Sequence, residues 1–272
     1  MAIQLNDRDQ QIFKLIEEHH VLLEKHIAWF ISKDGKPVLI RDRLRKLFYL
    51  DYLLCGRHAE ILPWWTTPTK PLVYTLSGLA RHTINGSDPD CDLNESKVQR
   101  HFLELANLRM LLLMTQKEGL ISSMQWTTRS SQNKSAIEVT VSFVAGNEQK
   151  TIGIINSPFV EGHALIPQLE AALNEATVNQ LWIICQDNIH QALLQEMIGS
   201  GKSFGDKILF ATHSELYTLG IMRSKWQTID HQVVAIIDQS IIDAAANAAA
   251  AANASNNIWP LPLGSFPHAA TA

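Results

Sequence analysis

The sequence predicts an α/β chain, α+β overall, in which a helical N-terminal part precedes a mixed sheet. Three observations carry this. Apolar residues recur at three-to-four spacing as far as Leu53, alternating strand-like segments begin after Gly119, and from Leu165 onward helical and strand-like segments alternate. With 272 residues and 46% hydrophobic content, the chain can bury one large core or two smaller ones, and domain sizes favour two. The expected division is 1–84, a linker and bridging helix over 85–118, an α/β unit over 119–242 and an alanine-rich tail over 243–272.

Asn6 can cap a helix beginning at Asp7, with Asp9 three residues on and Ile12, Leu15 and Ile16 as its apolar stripe. Leu22 to Ile31 reads as a second helix through Leu23, Ile27 and Phe30 or Ile31, and Lys33 to Lys36 break the pattern. Pro37 suits the first position of a third helix, PVLIRDRLRKLFYLDYL. On it Ile40, Leu44, Leu47 and Phe48 form an apolar face, Asp42, Arg45 and Lys46 point away, and Arg41 and Arg43 flank the stripe.

Downstream, a segment containing Pro63, Trp64, Trp65, Pro68 and Pro71 leads into the strand-like LVYTL. A β-hairpin after three helices is the order of a winged helix-turn-helix unit, which lays its third helix in a DNA groove and adds a wing beside it. Arginine suits such a helix because guanidinium makes paired contacts with phosphates and guanine edges. The candidate DNA-binding residues are therefore Arg41, Arg43, Arg45 and Lys46 on the helix, with Lys36, Arg57 and Lys70 on the backbone. The adjacent tryptophans read as pins that hold a loop on the core. Net charge is −4, so this basic cluster is local and affinity for bulk nucleic acid is expected to be modest.

The turn formers and acids of Asn85 to Asn94 mark a linker, and Glu95 to Lys117 then reads as one long helix with Val98, Phe102, Leu105, Leu108, Leu111 and Leu112 as its buried stripe. LISSMQW, AIEVTVSFV and KTIGIIN read as an antiparallel meander, the last two joined at Ala145, Gly146 and Asn147. A helix at Leu165 to Ala176, the strand LWIIC, a helix at Ile189 to Ile198, the strand KILFAT and a short helix near Glu215 follow, which makes part of the sheet parallel. Val233 to Ile237 is a further strand or the lead into the tail. DAAANAAAAANASNN lacks large side chains and reads as a frayed helix or spacer, with Trp259, Leu261, Leu263 and Phe266 beyond it.

Cys55, Cys91 and Cys185 are odd in number and widely spaced, which fits free thiols and an expected cytoplasmic location. The opening residues lack a secretory pattern and no apolar run is long enough to cross a bilayer, so no membrane association is expected. GSGKS at Gly199 to Ser203 fails the phosphate-loop pattern, because Glu196 stands where the first glycine belongs. His19, His20 and His26 lack further ligands and read as surface histidines. No cofactor or metal is expected.

The order of strands and helices after Gly119 resembles the restriction-endonuclease-like core, which holds a divalent ion with an acid on one strand and an acid-x-lysine on the next. Glu138 is present, but Ile154, Ile155 and Asn156 occupy the second position, so the core reads as degenerate and Glu138 as a solvent-facing residue at a strand edge. LNDRDQQIFKLI, LLEKHIAWF, IRDRLRKLFYLDYL and VYTLSGLA, within Leu5 to Ala80, are together similar to the replication-relaxation family of mobile-element proteins. That resemblance implies a winged-helix DNA-binding protein acting in replication control, mobilisation or transcription, with double-stranded DNA as partner. A relaxase or another mobilisation protein is a further possible partner, and a homodimer a possible state. Two alternatives remain on the residues alone: an adaptor that docks on a relaxase or secretion component, and a metal-dependent nuclease.

Overall fold

The computed structural model describes residues 4–33, 36–89, 91–129, 136–157, 162–174, 178–199 and 204–256. Helix α1 (Asp7–His19) starts where expected: Asn6 accepts from the Asp9 amide at 3.0 Å, and the Asp9 carboxylate accepts from the Asn6 amide at 2.8 Å. This reciprocal box satisfies two helix-end donors at once. Leu22 and Leu23 form strand β1 (Leu22–Leu23) and are not the start of helix α2 (Glu24–Ile31), because their backbones pair with a later strand.

Helix α3 (Arg41–Tyr49) begins four residues later than the Pro37 signal indicates. The Val38 amide donates to the Ala28 carbonyl at 3.3 Å, which ties the link back to α2 and holds it out of helical geometry. Strands β2 (Leu53–Arg57) and β3 (Leu72–Leu76) follow, and the three strands pair antiparallel in the order β1-β3-β2. Ile12, Phe13, Ile16, Ile27, Leu44, Leu47, Leu53 and Tyr74 make the core beneath them. Helix α4 (Gly78–Ile84) is capped by the Ser77 hydroxyl.

Helix α5 (Ser96–Lys117) is buried on more than one side. Ala106 enters the N-terminal core and Leu103 packs with Trp64, whereas Leu105, Leu108, Leu111 and Leu112 cover the large sheet. That sheet contains β4 (Ser122–Thr128), β5 (Val139–Ala145), β6 (Glu148–Asn156), β7 (Gln180–Cys185), β8 (Ile208–Thr212), β9 (Trp226–Gln227) and β10 (Val233–Val234) in the order β10-β9-β8-β7-β6-β5-β4. The first three form the expected meander, and β6, β7 and β8 run parallel. Gly146, first in the two-residue turn between β5 and β6, has φ of 60°, which suits a glycine.

Helices α6 (Gly162–Leu173) and α7 (Asn188–Gly199) connect the parallel strands and pack on one face through Leu165, Leu169, Leu194 and Ile198. The other face carries α5, with Leu216 of helix α8 (His213–Leu219) and Ile241 of helix α9 (Gln239–Asn256). Ile241 and Ile242 thus anchor the start of the alanine-rich helix just ahead of its small-residue stretch. Trp259, Leu261, Leu263 and Phe266 lie outside the described residues, as do residues 200–203 of GSGKS. Among the described residues, no helix is long and apolar enough to cross a membrane.

Candidate nucleic-acid interface

Helix α3 is held by Leu44 and Leu47, both fully buried, and its opposite side meets solvent. Arg45 is 61% exposed beside Asp42 at 3.8 Å, an i,i+3 pair too open to hold it firmly. Lys46 is exposed next to it. Arg41 is 73% exposed, and its Nε donates to Glu24 on α2 at 3.0 Å. Phe48 does not close the apolar face as the spacing suggests: it is 40% exposed, and Tyr49 beside it is 73% exposed.

Arg43 departs from the expectation. Its guanidinium turns inward, Nε donating to Asp9 Oδ1 at 2.6 Å while Nη2 engages Oδ2, and Asp9 is wholly buried. Asp9 raises the pKa of this guanidinium through the hydrogen bond, against the opposing effect of burial. Arg43 therefore braces α3 against the capped start of α1 and does not belong to the solvent-facing set. Position flanking the stripe was visible in the sequence, but the reach of Asp9 across to it was not.

The hairpin adds two more cations. Register pairs Arg57 with Leu72 and Cys55 with Tyr74, so Arg57 lies two residues beyond Cys55 on the same face of the ladder. Tyr74 is near Glu24 and Arg41, and burial pushes its phenol up to about 12. Arg57 Nη1 donates to the Lys70 carbonyl at 3.0 Å, and both side chains are exposed at the end of the two strands. Lys36 is exposed in the link ahead of α3.

Past Arg57, the loop folds back over the molecule. Trp64 is buried with Val21, Leu62, Val73 and Leu103, as the pinning role predicts, and its ring lies 5.7 Å from that of His213 on α8. Trp65 is only half-buried and donates from Nε1 to the Thr69 carbonyl at 2.6 Å. Glu60 lies 3.7 Å from Arg100 of α5. The Lys25 ammonium sits 5.5 to 6.0 Å from the rings of Trp64, Trp65 and Tyr217, and burial lowers its pKa to about 8.

A second polar cluster, absent from the sequence reading, lies where β6 and β8 end under α5. Glu104, Asn156 and His213 are almost completely buried. Asn156 Nδ2 and Ser157 Oγ donate to Glu104 Oε2 at 3.1 and 3.3 Å, Arg100 Nε donates to Oε1 at 2.9 Å, and His213 Nε2 donates to Asn156 Oδ1 at 2.7 Å. Burial raises the Glu104 pKa, but the charge and hydrogen bonds of His213 and Arg100 outweigh it and bring the carboxyl down to about 2. Glu138 is not a solvent-facing edge residue: its Oε1 accepts from the Asn156 amide at 2.9 Å and its Oε2 is 2.8 Å from His101 Nε2. Glu138 immediately precedes β5, and these two contacts place its carboxylate between His101 of α5 and the Asn156 amide at the end of β6.

His19 and His26 are likewise buried, not superficial. His19 stacks on Phe30 with ring centroids 5.1 Å apart, and His26 accepts the Leu23 amide at the start of α2. Burial, assisted by Arg109 for His19 and by Lys25 for His26, lowers both pKa values. Among the described residues Cys55, Cys91 and Cys185 form no disulfide, and burial pushes the Cys185 thiol up to about 12. Among the described residues no group of three or more histidine, cysteine or acidic side chains is placed to hold a metal ion. The chain matches no family model, no curated protein and no solved structure.

Proposed function

We propose that this chain is a non-enzymatic, winged-helix DNA-binding protein in which α3 is the recognition helix and the β2-β3 hairpin flanks it. The observation that carries the reading is the division of α3, whose Leu44 and Leu47 are buried while Arg41, Arg45 and Lys46 face solvent. The order of three helices and a three-stranded hairpin sheet supports it. Arg45 and Lys46 meet the groove and its phosphates, Arg41 reaches the adjoining backbone, and Arg57, Lys70 and Lys36 contact phosphates to either side. Arg43 is a positioning residue that sets the angle of α3.

The α/β part is read as a nuclease-like core without nuclease chemistry. Glu104 and Glu138 are engaged by protein donors, and Asn156 stands where the second strand of such a core needs charge. Replication control, mobilisation or transcription on a mobile element is the setting that the resemblance of Leu5 to Ala80 implies. A mobility-shift titration at low salt tests the proposal: the full chain retards duplex DNA, and an Arg45→Ala, Lys46→Ala double variant retards it much less. Absence of a shift at micromolar protein overturns it.

A second reading, a protein adaptor, draws on exposed apolar side chains near the same surface. Leu39 is 100% exposed and Leu54 is 56% exposed. An adaptor binds its partner with Leu39→Ser impaired and with no duplex retention.

A further inference from the structure

Lys25 of α2 carries its Nζ into a junction between several elements. Trp64 and Trp65 come from the loop over 58–71 and Tyr217 from α8, with ring centroids 5.9, 6.0 and 5.5 Å from Nζ. These distances stand at the outer limit of cation–π attraction, so the rings return little of the hydration that the amine has lost. Among the described residues its one hydrogen bond is to Asn107 Oδ1 on α5, long at 3.5 Å, and no carboxylate pairs with it. Burial is accordingly the cause that lowers the Lys25 pKa to about 8. The neutral amine, which is the nucleophile, then makes up a sizeable fraction at neutral pH. The side chain is only half-buried, so a small electrophile can reach it.

A second observation lies on the same asparagine. Asn107 is 1% exposed, and its Nδ2 has no hydrogen-bond partner. A buried donor left unmet is costly. A half-turn of the amide brings Nδ2 to the position that Oδ1 now holds beside Nζ. An amide carbonyl built on Nζ meets this donor, its methyl lies against apolar ring surface, and the ammonium charge that burial disfavours is gone.

We propose that Lys25 is a site of covalent acylation by a small activated acyl donor, an acyl phosphate or an acyl thioester, and that Asn107 Nδ2 donates to the carbonyl of the resulting amide. Nζ attacks the carbonyl carbon of the donor. The bond from that carbon to the phosphate oxygen or thiol sulfur breaks, its electron pair leaves with phosphate or thiolate, and Nζ releases a proton to water. The site is separate from α3, so it stands or falls without the DNA-binding reading.

The test incubates the full chain with carbonyl-labelled acetyl phosphate and, separately, with carbonyl-labelled acetyl coenzyme A, and follows each lysine by peptide mass spectrometry. Lys25 is acetylated at least about tenfold faster than the exposed Lys14 at neutral pH in one arm or both, and the arm that reacts identifies the donor. In the carbon NMR spectrum of the acetylated chain, the Lys25 carbonyl resonance lies downfield of those of the other acetyl-lysines, as a hydrogen-bonded carbonyl does. Asn107→Asp, close in size, offers the ammonium a carboxylate in place of an amide, which keeps it charged and brings its rate down to that of Lys14. Lys25 reacting no faster than Lys14 in either arm, a carbonyl resonance among those of the other acetyl-lysines, or an undiminished rate in Asn107→Asp overturns the proposal.

Discussion

Asp9 does two jobs that meet in one buried carboxylate: it completes the capping box of α1 and receives the Arg43 guanidinium of α3. Arg43→Ala strands that charge, and the expected loss in a urea melt is on the order of 3 kcal/mol, the low end for buried pairs because Arg43 is 22% exposed. Arg43→Lys restores little, since an ammonium cannot reproduce the paired geometry. Arg45→Ala and Lys46→Ala behave oppositely. Each leaves the melt within about 0.5 kcal/mol of the parent. The outward orientation of Arg45 and Lys46 was legible in the sequence from helical spacing. The inward turn of Arg43 depends on a partner 34 residues away, and no local pattern reports it.

At the level of elements, local signals served well wherever they were complete. Asn6 with Asp9 marked the start of α1, and Asn6→Ala should cost about 1 kcal/mol in the same melt. Alternation located β5 and β6, and a glycine turn joined them. Pro37 misplaced the start of α3 because the Val38 amide bonds to α2, a tertiary choice that overrides a favourable first-turn residue. His19 and His26 looked superficial for a similar reason: their burial is made by helices that meet only in the folded chain. Glu104 escaped notice because α5 is covered on more than one side, so no single apolar stripe separates its inner and outer residues.

Across the whole molecule, α5 and the loop over 58–71 join the helical part to the large sheet, and the Glu104 cluster sits at that junction. The Glu104 pKa of about 2 lies below its ordinary 4.5, so the carboxylate contributes stability above pH 4.5 that is lost as pH falls toward 2. Glu104→Gln should flatten the acid limb of the stability profile in that window and lower stability at neutral pH, measured by urea melts across pH. Neither the Glu138 to Asn156 contact nor His213 was readable beforehand, since each joins segments distant in sequence. The mildly acidic whole, at net charge −4, makes any DNA affinity depend on the local cations of α3 and its hairpin. The most direct measurement is fluorescence anisotropy of a labelled duplex across a salt series, comparing the parent chain with Arg45→Ala. The account predicts a steep fall of affinity with salt in the parent and a slope shallower by about 1 in the variant, whose melt is unchanged. Equal slopes and equal affinities for the two proteins would contradict it.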